Sequence, residues 1–432
     1  MRNNIVHPGA DQLTYEIRGI VKDAHHLASL GVDIIWENIG DPIAKGVEVP
    51  EWIKDIVKDV VSDNSAYGYS PTAGVTDARE AIVQMRAAEG RTLSSDDILF
   101  FNGLGDAISI VYSYLNQNSK VIGPNPAYPT HSSAEAAHSD SPHVSYELDP
   151  YKNWLPSIDD LRNKVKYNPA ISAILIINPD NPTGMVYPRV ILEQIVSIAR
   201  EYDLFIISDE IYANITYGNE PFVSIYDLIG DDVPALVMRG LSKEIPWPGA
   251  RCGWIEFHNR TSDSVFDRYV TSLFDAKMLQ VCATTLPQRV LPKLFSDPRY
   301  SAHLQEKSEL YKKRADEAYK VLRSIPGIIA PKPEGAFYYS VIFEDGVLNN
   351  NQTLAIETKE VQEFIQKTVQ EFSPDKRFVY YLMASTGICV VPLSGFNSQL
   401  HGFRFTLLEP DDQTFTNLLS KLKESMEYYI SR

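Results

Sequence analysis

The chain has 432 residues, 44% of them hydrophobic and 22% charged, with a formal net charge of -16; this is the balance of a soluble globular protein with room for two or three domains. The acidity argues against a nucleic-acid partner, whose binding face would be basic. The 3 cysteines, Cys252, Cys282 and Cys389, are scattered without a CxxC pair, so neither a disulfide framework nor a zinc site is indicated and they read as small apolar packers. The opening "MRNNIVHPGADQ" has no apolar signal core, and runs such as "ISAILII" are too short to cross a bilayer. A cytoplasmic enzyme or binding protein with no membrane partner is expected.

Taken in chain order, "TYEIRGIVKDAHHLASLG" has helical apolar spacing and stops on Gly31, and "VDIIWENIGDP" reads as a strand entering a turn. Helices are expected near Glu51 to Asp63 and Asp77 to Glu89. An alternation follows. "DILFF" is a strand, "NGLGD" a glycine turn and "AISIVYSYLN" a helix. "KVIGPNPAYP" is strand and loop, with a helix beginning at "AEAAH". "ISAILIINPDNPTG" is strand and loop, then the helix "RVILEQIVSIAREY" and the strands "LFIISDEIY" and "ALVMRGLSK". Short, fully apolar strands between helices imply an α/β fold, a mostly parallel sheet covered on both faces. From about Ser301 a long helix, the strand "GAFYYSVIF", a loop, another helix and the strands "GICVVP" and "GFRFTLL" make an α+β lobe, with which the N-terminal segment is expected to pack.

Ligands of such sheets sit beyond the carboxyl ends of the strands. The polar residues just after each strand are Gly103, Leu104 and Gly105 in a glycine turn, Tyr128, Asn178 and Asn181, Asp209 and Tyr212, and Ser242, Lys243 and Arg251 in "RGLSKEIPWPGARCGW". Pro246 and Pro248 lack backbone donors, so that last stretch is not a stable helix. The set has one lysine, one arginine, one carboxylate, an aromatic ring and a turn that can aim N–H groups at a phosphate. It has no carboxylate pair and no prominent histidine, so hydrolase and glycosidase readings lack their parts. An amine that condenses with an aldehyde, a carboxylate for a pyridine nitrogen and a phosphate clamp describe pyridoxal 5'-phosphate. Structural alternatives stand beside these roles: Asp209 as a helix cap, Tyr128 as core, the glycines as an ordinary turn.

"NPDNPTG", "SDEIY" and "SKEIPWPGARCGW", in this order, resemble the signature of the class I/II aminotransferases of the aspartate aminotransferase fold (fold type I). The resemblance implies a large domain with a seven-stranded, mostly parallel sheet between helices, and a smaller α+β domain from the two chain ends. The expected boundaries are 1–48 for the N-terminal arm and part of the small domain, 49–315 for the large cofactor domain and 316–432 for the rest of the small domain. It implies that Lys243 joins the cofactor aldehyde and that Asp209 pairs with the pyridine nitrogen. Asn181 and Tyr212 would bond the ring's 3-oxygen and Tyr128 would stack on the ring. Gly103, Leu104, Gly105, Ser242 and Arg251 would hold the phosphate. Arg404 of "FRFTLL" would bind the substrate α-carboxylate with Asn181 and the Gly40 backbone of "NIGDP" beside it, and Tyr69 of "YSPTAG" would reach the phosphate of a second subunit in a homodimer. "GLGD", the proline-rich "EIPWPGA" and "PLSGF" depart from the usual pattern and leave the pocket wall, hence specificity, open.

The activity implied is a ping-pong exchange of an amino group between an L-amino acid and a 2-oxo acid. "TYEIRGIVKDAHHLASLG", "NIGDP" and "MLQVCATTLPQ" resemble the alanine (glutamate–pyruvate) branch, in which Tyr15 and Arg18 would close over the substrate. Alanine with 2-oxoglutarate or pyruvate is therefore the favoured pairing. An aspartate or aromatic transaminase, and a carbon–sulfur lyase on the same scaffold, are the alternatives; Arg18 could also be a solvated helix residue.

Overall fold

The computed structural model describes residues 5–13 and 16–432; Tyr15 and the side chain of Arg18 lie outside the described residues. In chain order the strands are β1 (Ile35–Trp36), β2 (Ile98–Phe101), β3 (Lys120–Asn125), β4 (Val144–Asp149), β5 (Leu155–Pro156), β6 (Ile171–Ile177), β7 (Phe205–Asp209), β8 (Ala235–Gly240), β9 (Gly253–His258), β10 (Ile328–Ile329), β11 (Tyr338–Phe343), β12 (Ile388–Cys389), β13 (Val391–Pro392) and β14 (Gly402–Thr406). Among the described residues the main sheet has eight strands, in the order β2-β9-β8-β7-β6-β3-β4-β5. The expected seven are joined at the edge by the two-residue β5, antiparallel to β4.

Pairing is parallel from β4 through β3, β6 and β7 to β8. The exception inside the sheet is β9, antiparallel to both β8 and β2. β2, β8 and β9 are buried at every position, Arg239, Glu256 and His258 included, as strands covered on both faces are. Helices such as Leu104–Ser113, Arg189–Glu201 and Ser264–Leu279 supply the cover, each burying its apolar stripe. One helix starts earlier than its sequence suggests: the helix around "AEAAH" spans Pro129–Ser139, because Pro129 suits the first helical position.

A second, four-stranded sheet has the order β10-β11-β14-β13, antiparallel throughout. The segment "GICVVP", expected as one strand, is divided between sheets. Its first part, β12, pairs with β1 from the N-terminal region, and its second, β13, pairs with β14. This division brings the Glu37–Gly40 stretch beside Arg404 on β14, where Thr406 Oγ1 donates to Glu37 Oε2 at 2.7 Å. Cys252 and Cys389 are buried, and burial pushes the Cys252 thiol up to about 12; Cys282 is only half-buried, so the packing role expected for all three holds fully for two.

Candidate active site

Strand register sets the site. Ile177 lies opposite Asp209, Asp209 opposite Met238, and Gly253 opposite both Gly240 and Phe101. The turns that follow β2, β6, β7 and β8 therefore leave the sheet along one edge, and each carries part of the expected constellation.

The turn after β6 is built by Asp180. Its Oδ2 accepts the Thr183 N–H at 3.0 Å and the Thr183 hydroxyl at 2.6 Å, and its backbone closes on Met185 and Gly184. Burial pushes this carboxyl up to about 7. The turn presents Asn181, whose Oδ1 accepts from Arg404 NH1 at 3.2 Å. Arg404 NH2 donates to the Asn38 carbonyl at 2.5 Å, and the guanidinium lies 4.4 Å from the Tyr338 ring centroid and 5.0 Å from that of Phe396. A buried guanidinium held this way is fixed in one orientation, which suits a planar carboxylate.

Lys243 stands on the loop after β8. Glu244 pins that loop from below, accepting from Asn214 Nδ2 at 2.6 Å and the Tyr300 hydroxyl at 3.0 Å. The half-buried Lys243 amine donates to the Gly40 carbonyl at 2.8 Å and lies 5.8 Å from the Tyr212 ring and 5.6 Å from the Phe337 ring. The Tyr212 hydroxyl bonds the Tyr338 hydroxyl at 3.2 Å, and burial, then Tyr338, holds its ionisation well above the usual phenol range. A Cβ at Gly40 would overlap the Tyr338 hydroxyl, so only glycine lets this backbone pass between Tyr338 and Lys243. Tyr338 thus touches three of the expected site residues and was not among them; "GAFYY" offered only an apolar strand pattern.

Asp209 ends β7. Its Oδ1 accepts the Ile211 N–H at 3.1 Å and its Oδ2 lies 3.2 Å from His131 Nε2. His131 also meets the Tyr112 hydroxyl at 3.4 Å, and its ring centroid is 6.3 Å from that of Tyr128. His131 is the other residue that sequence reasoning missed. It lies 78 positions from Asp209, and its only local signal is its place three residues after Tyr128 on the helix that follows "NPAYP".

The residues expected to hold the phosphate come together as well. Gly103 caps the helix Leu104–Ser113 with φ 81°, and a Cβ there would lie 2.6 Å from Arg251 NH2. Arg251 itself has φ 48°, after the short turn Pro248–Ala250, and its NH1 donates to the Pro248 carbonyl at 3.2 Å. Leu104 and Ser242 are half-buried and Gly105 is exposed at this end of the sheet. Tyr69 is 86% exposed, in a segment tied to Val281 by the Thr72 hydroxyl at 3.0 Å. Tyr15 and the side chain of Arg18, expected to close over the substrate, lie outside the described residues.

The arrangement fits pyridoxal 5'-phosphate on its own observations. Gly103 lies under the Arg251 guanidinium with φ 81° and ψ 166°, a backbone conformation that side-chain-bearing residues rarely adopt. The Asn38 side chain is buried beside Arg404 with neither polar atom hydrogen-bonded, and an amine faces the same stretch. The fold and this site define a fold-type I aminotransferase: residues 33–422 match the family aminotransferase class I and II, and the chain belongs to that family, whose enzymes work with pyridoxal 5'-phosphate. It is 51% identical, over the full length of both chains, to an aminotransferase of Methanocaldococcus jannaschii named without a substrate. It is 32% identical over 333 residues, 76% of this chain and 80% of the other, to the glutamate-pyruvate aminotransferase of Escherichia coli. Among solved structures, the alanine aminotransferase from Pyrococcus furiosus superposes with a TM-score of 0.84 at 28% identity, covering 97% of this chain and 98% of that one. Among the described residues no helix is long and apolar enough to cross a membrane.

Proposed function

We propose that this aminotransferase exchanges the amino group of an L-amino acid, alanine favoured, with 2-oxoglutarate or pyruvate, by a ping-pong sequence in a homodimer. The observation that carries the reading is that the Lys243 amine and the Arg404 guanidinium abut the same three residues, Asn38 to Gly40, one through the Gly40 carbonyl and the other through the Asn38 carbonyl. One short backbone stretch therefore sets the distance between a proton-carrying amine and a carboxylate clamp. When bound, pyridoxal 5'-phosphate supplies an aldehyde that condenses with amines and a ring that takes up electron density.

The residues of this chain supply the rest. Gly103, Leu104, Gly105, Ser242 and Arg251 would hold the phosphate. Tyr128 would stack on the ring, Asp209 would accept the hydrogen bond of the protonated pyridine nitrogen, and Asn181 and Tyr212 would bond the 3-oxygen. Arg404 grips the α-carboxylate, turning the Cα–H bond toward Lys243, whose amine takes that proton. Tyr15 and Arg18 close over the side chain. Residues 1–48 supply the N-terminal arm and part of the small domain, 49–315 the large cofactor domain and 316–432 the rest of the small domain. Support for the dimer comes from exposed apolar side chains in the segment that Thr72 ties to the Tyr69 loop: Met278 at 62%, Leu279 at 84% and Val281 at 51%. Support for alanine comes from the printed names of the Escherichia coli and Pyrococcus furiosus relatives.

The test is a panel of amino acids added to the holoenzyme, with the cofactor's absorption recorded with and without an oxo acid. Alanine and glutamate should convert the cofactor to its amine form, and pyruvate or 2-oxoglutarate should restore it. Conversion by aspartate or an aromatic amino acid but not by alanine would overturn the substrate assignment. Ammonia release without any oxo acid would mark an eliminating enzyme instead.

A further inference from the structure

Lys277 has no part in the chemistry above, yet its side chain is wholly buried. Its ammonium donates to Asp106 Oδ2 at 2.8 Å and to Gln280 Oε1 at 2.8 Å, and lies 5.1 Å from the Phe101 ring centroid. Asp106 stands in the first turn of the helix that Gly103 caps. The same Oδ2 accepts the Asn102 N–H at 2.9 Å, tying the start of the glycine turn to its end. A second tie comes from the same part of the chain, where Thr284 donates to Asn102 Oδ1 through its N–H at 2.9 Å and its hydroxyl at 2.9 Å. The segment Lys277–Thr284 thus holds both flanks of the turn.

A carboxylate in this place has two opposed effects. It suits the positive end of the helix dipole, and it repels a phosphate dianion received by the same N–H groups. Burying an ammonium is costly, and an apolar side chain opposite a neutral amide would pack there at less cost. The pair therefore calls for a reason beyond stability. We propose that Lys277 is a positioning residue for the cofactor phosphate: a buried counter-charge that lets Asp106 latch the glycine turn without repelling the dianion. This rests on the reading of Gly103–Gly105 and Arg251 as the phosphate cradle.

The test measures the affinity of apoenzyme for pyridoxal 5'-phosphate and, in parallel, for pyridoxal, which lacks the phosphate. Lys277→Met should weaken pyridoxal 5'-phosphate binding roughly tenfold or more, the size expected for one unit charge acting across partly buried protein, and leave pyridoxal binding unchanged. The double variant Lys277→Met/Asp106→Asn removes both charges and should bind pyridoxal 5'-phosphate within about threefold of wild type, the scatter of unrelated packing effects. It also serves if Lys277→Met alone does not fold. Equal loss of both ligands in Lys277→Met, or no recovery in the double variant, would overturn the proposal. Arg251→Met separates it from the reading beneath: if that change leaves pyridoxal 5'-phosphate affinity intact, the cradle assignment fails, and if only Arg251→Met weakens it, the Lys277 proposal alone fails.

Discussion

Arg404→Lys keeps the charge in the pocket and removes the planar fork. Arg404 is 2% exposed, stands on β14 between β11 and β13, and its guanidinium is anchored to Asn181 at 3.2 Å and to the Asn38 carbonyl at 2.5 Å. A single ammonium cannot keep both anchors and still meet two carboxylate oxygens. Losing a bidentate, charge-assisted contact in a closed site costs about 2–3 kcal/mol, or roughly 30- to 150-fold in kcat/KM. The assay is stopped-flow absorption of the cofactor with L-alanine and with ethylamine, which is alanine without its carboxylate. The variant should lose that factor with alanine and react with ethylamine as the wild type does. An equal loss with both would mean that Arg404 acts by supporting the fold, and the carboxylate argument would fall.

Lys243→Ala should fold, since the side chain is half-buried at the site edge, and should lose turnover; borohydride reduction of the wild-type holoenzyme followed by peptide mass analysis should find the label on Lys243 and on no other lysine. Mixed dimers of Tyr69→Phe with Arg404→Lys should recover part of the activity if the two residues reach one site from different chains, and inactive hybrids would place both in the same chain. Arg18→Ala should weaken glutamate turnover more than alanine turnover, with equal effects removing Arg18 from side-chain recognition. His258 tests the buried charges at the far end of β9. Burial, opposed by Glu256, lowers its pKa from 6.5 to about 4. Between those values the unfolded chain binds a proton that the folded chain refuses, so this group lowers stability by about 3 kcal/mol as pH falls from 6.5 to 4. Urea unfolding of His258→Gln should show a correspondingly shallower loss over that window, and identical slopes would refute the assignment.

Whatever rests on neighbouring positions in the chain was legible in the sequence. The apolar runs of β2, β6, β7 and β8 announced a covered parallel sheet, because a strand with both faces buried has no polar face to show. Asp209 ends β7, Tyr212 and Lys243 stand just beyond β7 and β8, and Arg251 stands just before β9, so their motifs carried them. β9 was not among the expected strands, since Glu256 and His258 interrupt its apolar pattern, and its antiparallel pairing has no local signal.

Residues brought in by long-range closure left no such trace. His131 meets Asp209 across 78 positions, Lys277 meets Asp106 across 171, and Arg404 meets Asn38 across 366. Tyr338 reaches Gly40 and Tyr212 only because the sheet carrying β11 lies against the turn after β7. Periodicity and turn chemistry act over a few residues and determined which elements form and which motif side chains stand at their ends. Strand order and register act over hundreds, and only they decided which buried donor faces which acceptor, because a hydrogen bond of about 3 Å depends on how whole elements pack.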